Sequence, residues 1–106
     1  MTLALSDVIA ERRRQVEAEG WTPEHDDEHA DGELARAAAT YAAHTAFGDS
    51  ASRQFYGCLW PFGDGFKPTT PRRDLVKAGA LILAEIERLD RAEAAKTKPS
   101  PLGDKA

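Results

Sequence analysis

Between Thr70 and Ala92 the chain carries the one segment whose pattern leaves little choice of structure. Thr70 is a good helix cap. Pro71 takes the first helical position, where its missing N–H costs nothing. Behind them Leu75, Val76, Gly79, Ile82, Leu83, Ile86 and Leu89 recur at helical spacing. Glu85, Glu87, Arg88, Asp90 and Arg91 then face largely outward. A helix over 71–92 with one apolar stripe must lie against something, so the rest of the chain has to supply a cover.

Two earlier segments can do so. Residues 6–19 read as a helix capped by Ser6, with Asp7 in its first turn and Gly20 as its stop. Leu5, Val8, Ile9 and Val16 share its inner face with Arg12, so that face is unusually polar. Residues 32–46 read as a second helix, capped by Asp31, with Glu33 in its first turn. It holds six alanines between positions 35 and 43, plus Leu34 and Tyr41. Such a face has high helix propensity and lets another backbone come close. The expected fold class is therefore all-α: a small bundle of three main helices. An aromatic and glycine-rich insertion over 47–70 separates the second from the third. It contains six of the eight aromatic residues, and its segment 55–60 fits a short strand or a helical turn equally well.

Composition sets the size of the core. Alanine supplies 19 of the 106 residues, the same number as Leu, Ile, Val and Phe together. A domain this poor in bulky side chains is marginal alone. A homo-oligomer is expected, with the second or third helix buried against a copy. Residues 1–94 form the expected helical domain and 95–106 a disordered tail.

Bulk properties exclude several functions. A net charge of -4 argues against a nucleic acid polymer as partner. One cysteine, Cys58, allows no intrachain disulfide and no cysteine-based zinc site. No apolar stretch reaches the length of a membrane span, and the N-terminal apolar run is too short for a signal peptide. These features together suggest the cytoplasm.

Five groups can carry chemistry. Glu24, His25, Asp26, Asp27, Glu28 and His29 crowd carboxylates and imidazoles together. They form a hydrated loop, a ligand contact or a metal site, without a standard metal spacing. Trp21, after a helix-ending glycine, either seals the bundle or offers a face to a base. Trp60 and Lys67 lie in the run Leu59–Pro68, where glycines allow a backbone to approach a ligand. Arg72 and Arg73 bring guanidinium groups to a helix N-terminus, a natural anion site unless acids pair with them. Glu11 and Gln15 stand one turn apart on a face that is solvated by default. Glu87 and Asp90 form half of an acidic metal motif. The other half is missing, because Glu33 alone on the second helix does not complete it.

Two blocks resemble a known group. They are Glu11–Gln15 with Glu19–Asp27 (ERRRQ…EGWTPEHDD), and Arg72–Leu89 (RRDLVKAGALILAEIERL). With Gly32-Glu33-Leu34 and Trp60-Pro61 they resemble a family of small proteins of tailed phages and prophages, over roughly residues 8–92. The resemblance brings no catalytic assignment. It implies action inside an infected bacterium, where small oligomeric phage proteins sequester nucleotide immune signals.

The expected function is thus non-catalytic binding of a nucleotide-type signal, a cyclic oligonucleotide or an ADP-ribose derivative, with no cofactor and no bound metal. Trp21 and Trp60 would stack. Lys67, Arg72 and Arg73 would hold phosphate. His25, Asp26 and Asp27 would meet sugar or base edges. The alternatives are a magnesium-dependent nucleotide pyrophosphohydrolase built on Glu33, Glu87 and Asp90, and a protein-binding inhibitor using the aromatic segment.

Overall fold

The computed structural model describes residues 1–48, 53–63 and 65–97, and among them the protein is all-helical. Five helices follow in order: α1 (Leu3–Glu17), α2 (Pro23–Asp27), α3 (Glu33–Phe47), α4 (Arg53–Leu59) and α5 (Pro71–Thr97).

The first helix begins three residues earlier than its sequence suggests. Thr2, not Ser6, is the cap: its Oγ1 accepts from the Leu5 N–H at 3.1 Å. Leu3, Ala4 and Leu5 are good helix formers, so the upstream threonine wins. The helix ends as expected around Gly20, whose φ of +74° suits a residue without Cβ. The Trp21 N–H then donates to the Gln15 carbonyl at 2.9 Å, folding the chain back over the end of α1.

The acid- and histidine-rich segment between α1 and α3 contains a helix of its own. Thr22 Oγ1 accepts from the His25 N–H at 3.3 Å, and Pro23 opens α2. Thr22-Pro23 is the same cap-and-proline signal as Thr70-Pro71. At α3, Asp31 is not the cap. Gly32 stands there with φ +83°, and the Asp31 N–H donates to Glu33 Oε1 at 2.7 Å. Residues 53–59 resolve the choice between strand and helix in favour of helix. Thr70 caps α5 as read, accepting from the Arg73 N–H at 3.2 Å. Helix α5 is 27 residues long, about 40 Å at the usual rise. It runs through residues 95–97, and the tail expected after them lies outside the described residues.

Helix α5 is the backbone of the fold, with α3 and α1 packed on different faces. Leu34, Ala37, Ala38 and Tyr41 of α3 bury against Ala78, Leu81 and Ala84 of α5. The core face is therefore built from alanines and Leu81. The expected stripe is buried only in part: Val76 is in the core, but Leu75, Ile82, Ile86 and Leu89 are each about half exposed. Close helix approach explains the exchange, because alanine lets two backbones meet where leucine would hold them apart. On α5's other covered face Gly79 admits α1. A Cβ there would lie 3.2 Å from a Val8 methyl. Helix α1 buries Glu11, Arg12 and Gln15, so its inner face is as polar as the sequence implied. Among the described residues no helix is long and apolar enough to cross a membrane.

Candidate ligand-binding site

Where α1 and α3 diverge over α5 they leave a cavity of about 480 Å³. Its floor is Arg73, Lys77 and Leu81, successive turns of one face of α5. Glu11, Arg14 and Gln15 of α1 form one wall and Tyr41 of α3 the other. Trp21 folds in from the α1–α2 turn. Trp60, Phe62, Gly65 and Lys67 close the remaining side.

The aromatic side is held edge to face. Trp60 meets Tyr41 at 5.6 Å and 89°, and Phe62 at 5.7 Å and 85°. Trp60 also packs on Phe66 at 5.3 Å. These contacts fix the rings in place and leave cavity-facing surface on Trp21 and Trp60.

The cationic side is organised by one buried acid. Glu11 is 2% exposed and accepts from Nε and Nη2 of Arg14 at 2.8 and 3.0 Å, and from Arg73. Burial alone would raise its pKa. The hydrogen bonds from Arg14 and Arg73 outweigh burial and hold Glu11 below the ordinary glutamate value. Glu19 is tied to Arg14 at 3.0 Å. The four lining cations Arg14, Lys67, Arg73 and Lys77 thus outnumber the two carboxylates, and both carboxylates are engaged. Lys77 sits 5.3 Å over the Tyr41 ring and donates to the Lys67 carbonyl at 3.0 Å. Burial pushes its ammonium below the ordinary lysine value, against the opposing pull of Asp74. A partly desolvated cation beside an aromatic wall favours an incoming anion.

A second cavity of about 440 Å³ adjoins the first and shares Glu11, Arg14 and Arg73 with it. Arg72 and Thr70 line it, at the start of α5.

The structure brings together four of the sequence-derived site residues: Trp21, Trp60, Lys67 and Arg73. Arg72 lies next door, bonded to Asp7 at 2.8 Å. His25 stacks on Trp21 at 6.1 Å and lines a separate small cavity of about 170 Å³ with Leu34 and Phe62. Asp26 and Asp27 do not line the large cavity. Asp26 is fully buried against Arg12 Nη2 at 2.7 Å, and Asp27 pairs with Arg91 at 2.8 Å. Gln15, Tyr41, Phe62 and Lys77 join the site without having been singled out as ligand contacts. The one-turn spacings Glu11–Gln15 and Arg73–Lys77 were the available signal.

Among the described residues no three His, Cys, Asp or Glu side chains gather as a metal-holding group. Glu87 is taken up by Arg12 at 3.1 Å, and Glu33 by the Asp31 N–H. No protein-family model, curated protein or solved structure matches the chain.

Proposed function

We propose that this protein binds a nucleotide-type ligand in the cavity between α1, α3 and α5 and holds it without turnover. One observation carries the reading: a single cavity joins an aromatic wall, Trp21, Tyr41, Trp60 and Phe62, to a cationic floor and rim, Arg14, Lys67, Arg73 and Lys77. Flat bases need the first and phosphates need the second. A volume of about 480 Å³ falls in the small-molecule range. Binding is favoured over catalysis because Glu11 and Glu19, the cavity's carboxylates, are already spent on arginines and offer no free base. The phage-family resemblance suggests the biological setting: sequestration of an immune signalling nucleotide in the cytoplasm of an infected bacterium.

The test is capture and release. The protein is mixed with cyclic di- and trinucleotides, ADP-ribose, cyclic ADP-ribose and nucleoside triphosphates, with and without Mg²⁺, and the free ligand is measured. It is then heated and the supernatant measured again. Depletion followed by recovery of intact ligand is the expected result. Mg²⁺-dependent products would make the protein an enzyme. No depletion of any compound would leave the protein-binding class.

The binding unit in this proposal is a homo-oligomer. Leu75, Ile82, Ile86 and Leu89 form an exposed apolar line along α5, about 21 Å long. An antiparallel twofold pairing of two α5 helices would cover the line on both copies. Light scattering should therefore give a mass above one chain at micromolar concentration. Ile82→Glu with Ile86→Glu should reduce it to the monomer mass while leaving the helical signal in place. A wild-type monomer would defeat the oligomer.

A further inference from the structure

Among the described residues three buried side-chain polar atoms have no hydrogen-bond partner in the chain, and two of them belong to residues lining the same cavity. They are Gln15 Oε1 and Trp60 Nε1. Gln15 is 2% exposed, so its amide cannot turn outward to be satisfied. A native fold pairs nearly all such atoms, and an unpaired one costs a desolvation penalty that must have a reason.

The two atoms are chemically complementary. An amide oxygen can only accept, and an indole N–H can only donate. A ligand that satisfies both must present a donor and an acceptor on a flat group that fits among Trp21, Tyr41, Trp60 and Phe62. Phosphate supplies acceptors only, and a hydrocarbon ring supplies neither. The neighbouring Glu11 cannot relieve Gln15 Oε1, because its carboxylate, held ionised by Arg14 and Arg73, only accepts.

We infer that Gln15 and Trp60 are the specificity-determining pair of the cavity and read the donor–acceptor edge of a nucleobase. This rests on the nucleotide reading and deepens it. Both atoms are closed off in the unliganded chain, so a side-chain rotation on binding would let Gln15 accept from an amino or ring N–H and Trp60 donate to a ring nitrogen or carbonyl. Both kinds of base edge, amino with ring nitrogen and carbonyl with ring N–H, carry the required pair. Phosphate is left to Arg73, Lys67 and Lys77. The aromatic end of the ligand then points toward α1 and its anionic end toward the start of α5.

Both tryptophans of the chain line the cavity, so intrinsic fluorescence reports occupancy. The titrants are AMP, GMP, CMP, UMP and ribose 5-phosphate, against wild type, Gln15→Leu and Trp60→Phe. The best nucleoside monophosphate should bind wild type at least about tenfold tighter than ribose 5-phosphate. In either variant that margin should shrink to about threefold or less, with ribose 5-phosphate binding within about twofold of wild type. Leucine nearly matches glutamine in shape, so Gln15→Leu should melt no lower than wild type without ligand, the opposite of what a structural glutamine would show. Trp60→Phe keeps the ring and removes only the donor, which tests the pair even if the other variant folds poorly.

A margin preserved in both variants overturns the base-edge assignment. So does a wild type that binds ribose 5-phosphate as well as every nucleotide. If capture and release still deplete nucleotides in those cases, the binding function stands and only the assignment falls. If nothing is depleted and nothing titrates, both fall.

Discussion

Asp26→Ala should destabilise the protein by about 3–5 kcal/mol, the usual penalty for stranding one half of a buried ion pair. Asp26 is fully buried and bonds Arg12 Nη2 at 2.7 Å. Arg12 is itself 8% exposed and reaches Glu87 of α5 at 3.1 Å and the Trp21 carbonyl at 3.3 Å. One guanidinium thus ties α1, α2, α5 and the turn that delivers Trp21 to the cavity. Removing its best-buried acid leaves a largely buried guanidinium with two of its three hydrogen bonds and only the half-exposed Glu87 as counter-ion. Small domains have about 5–15 kcal/mol in total, so the loss should be plain in urea or thermal unfolding. Replacing both partners with apolar residues, Arg12→Met with Asp26→Leu, should recover much of it, because the uncompensated charge is gone. If Asp26 instead met a ligand directly, the single variant would weaken binding and melt like wild type.

Arg73→Ala should lower ligand affinity by about 2–3 kcal/mol, on the order of 100-fold, while the fold and the oligomer mass stay as in wild type. Arg73 lines both large cavities, and it shares Glu11 with Arg14. When it is removed, Glu11 keeps its two-pronged bond to Arg14, so no buried carboxylate is abandoned. Binding loses a guanidinium between the aromatic cavity and the start of α5. Arg73→Lys should restore charge without the planar fork and recover only part of the loss. In the capture assay the alanine variant should leave nearly all ligand free at concentrations where wild type depletes it. Wild-type depletion by Arg73→Ala would remove Arg73 from the phosphate site.

The start of α5 was legible because Thr70-Pro71 combines a cap with a residue that favours the first helical position. The same pair at Thr22-Pro23 gives a weaker signal, because acids and histidines, not an apolar stripe, follow it. Helix existence is written locally, but the choice of buried face is not. Bulk pointed to Leu75, Ile82, Ile86 and Leu89. The chain buries Ala78, Ala80, Leu81 and Ala84 instead, since α3 brings alanines of its own and close approach rewards small side chains. The site divides the same way. Trp21, Trp60, Lys67 and Arg73 carry their chemistry in their residue types. Gln15, Tyr41 and Lys77 acquire theirs only when three helices meet. Asp26 looked hydrated among five polar neighbours, and a guanidinium 14 positions away takes it inside.

Helix α5 presents Arg73, Lys77 and Leu81 to the cavity, while Leu75, Ile82, Ile86 and Leu89 lie about half a turn around the same cylinder. Whatever covers that apolar line approaches from the far side and leaves the cavity mouth unobstructed. Under the proposed pairing, occupancy should then count chains, not assemblies: one ligand per polypeptide, each cavity on the side of α5 away from the seam. A sequestering protein of that design would fill in proportion to the amount made.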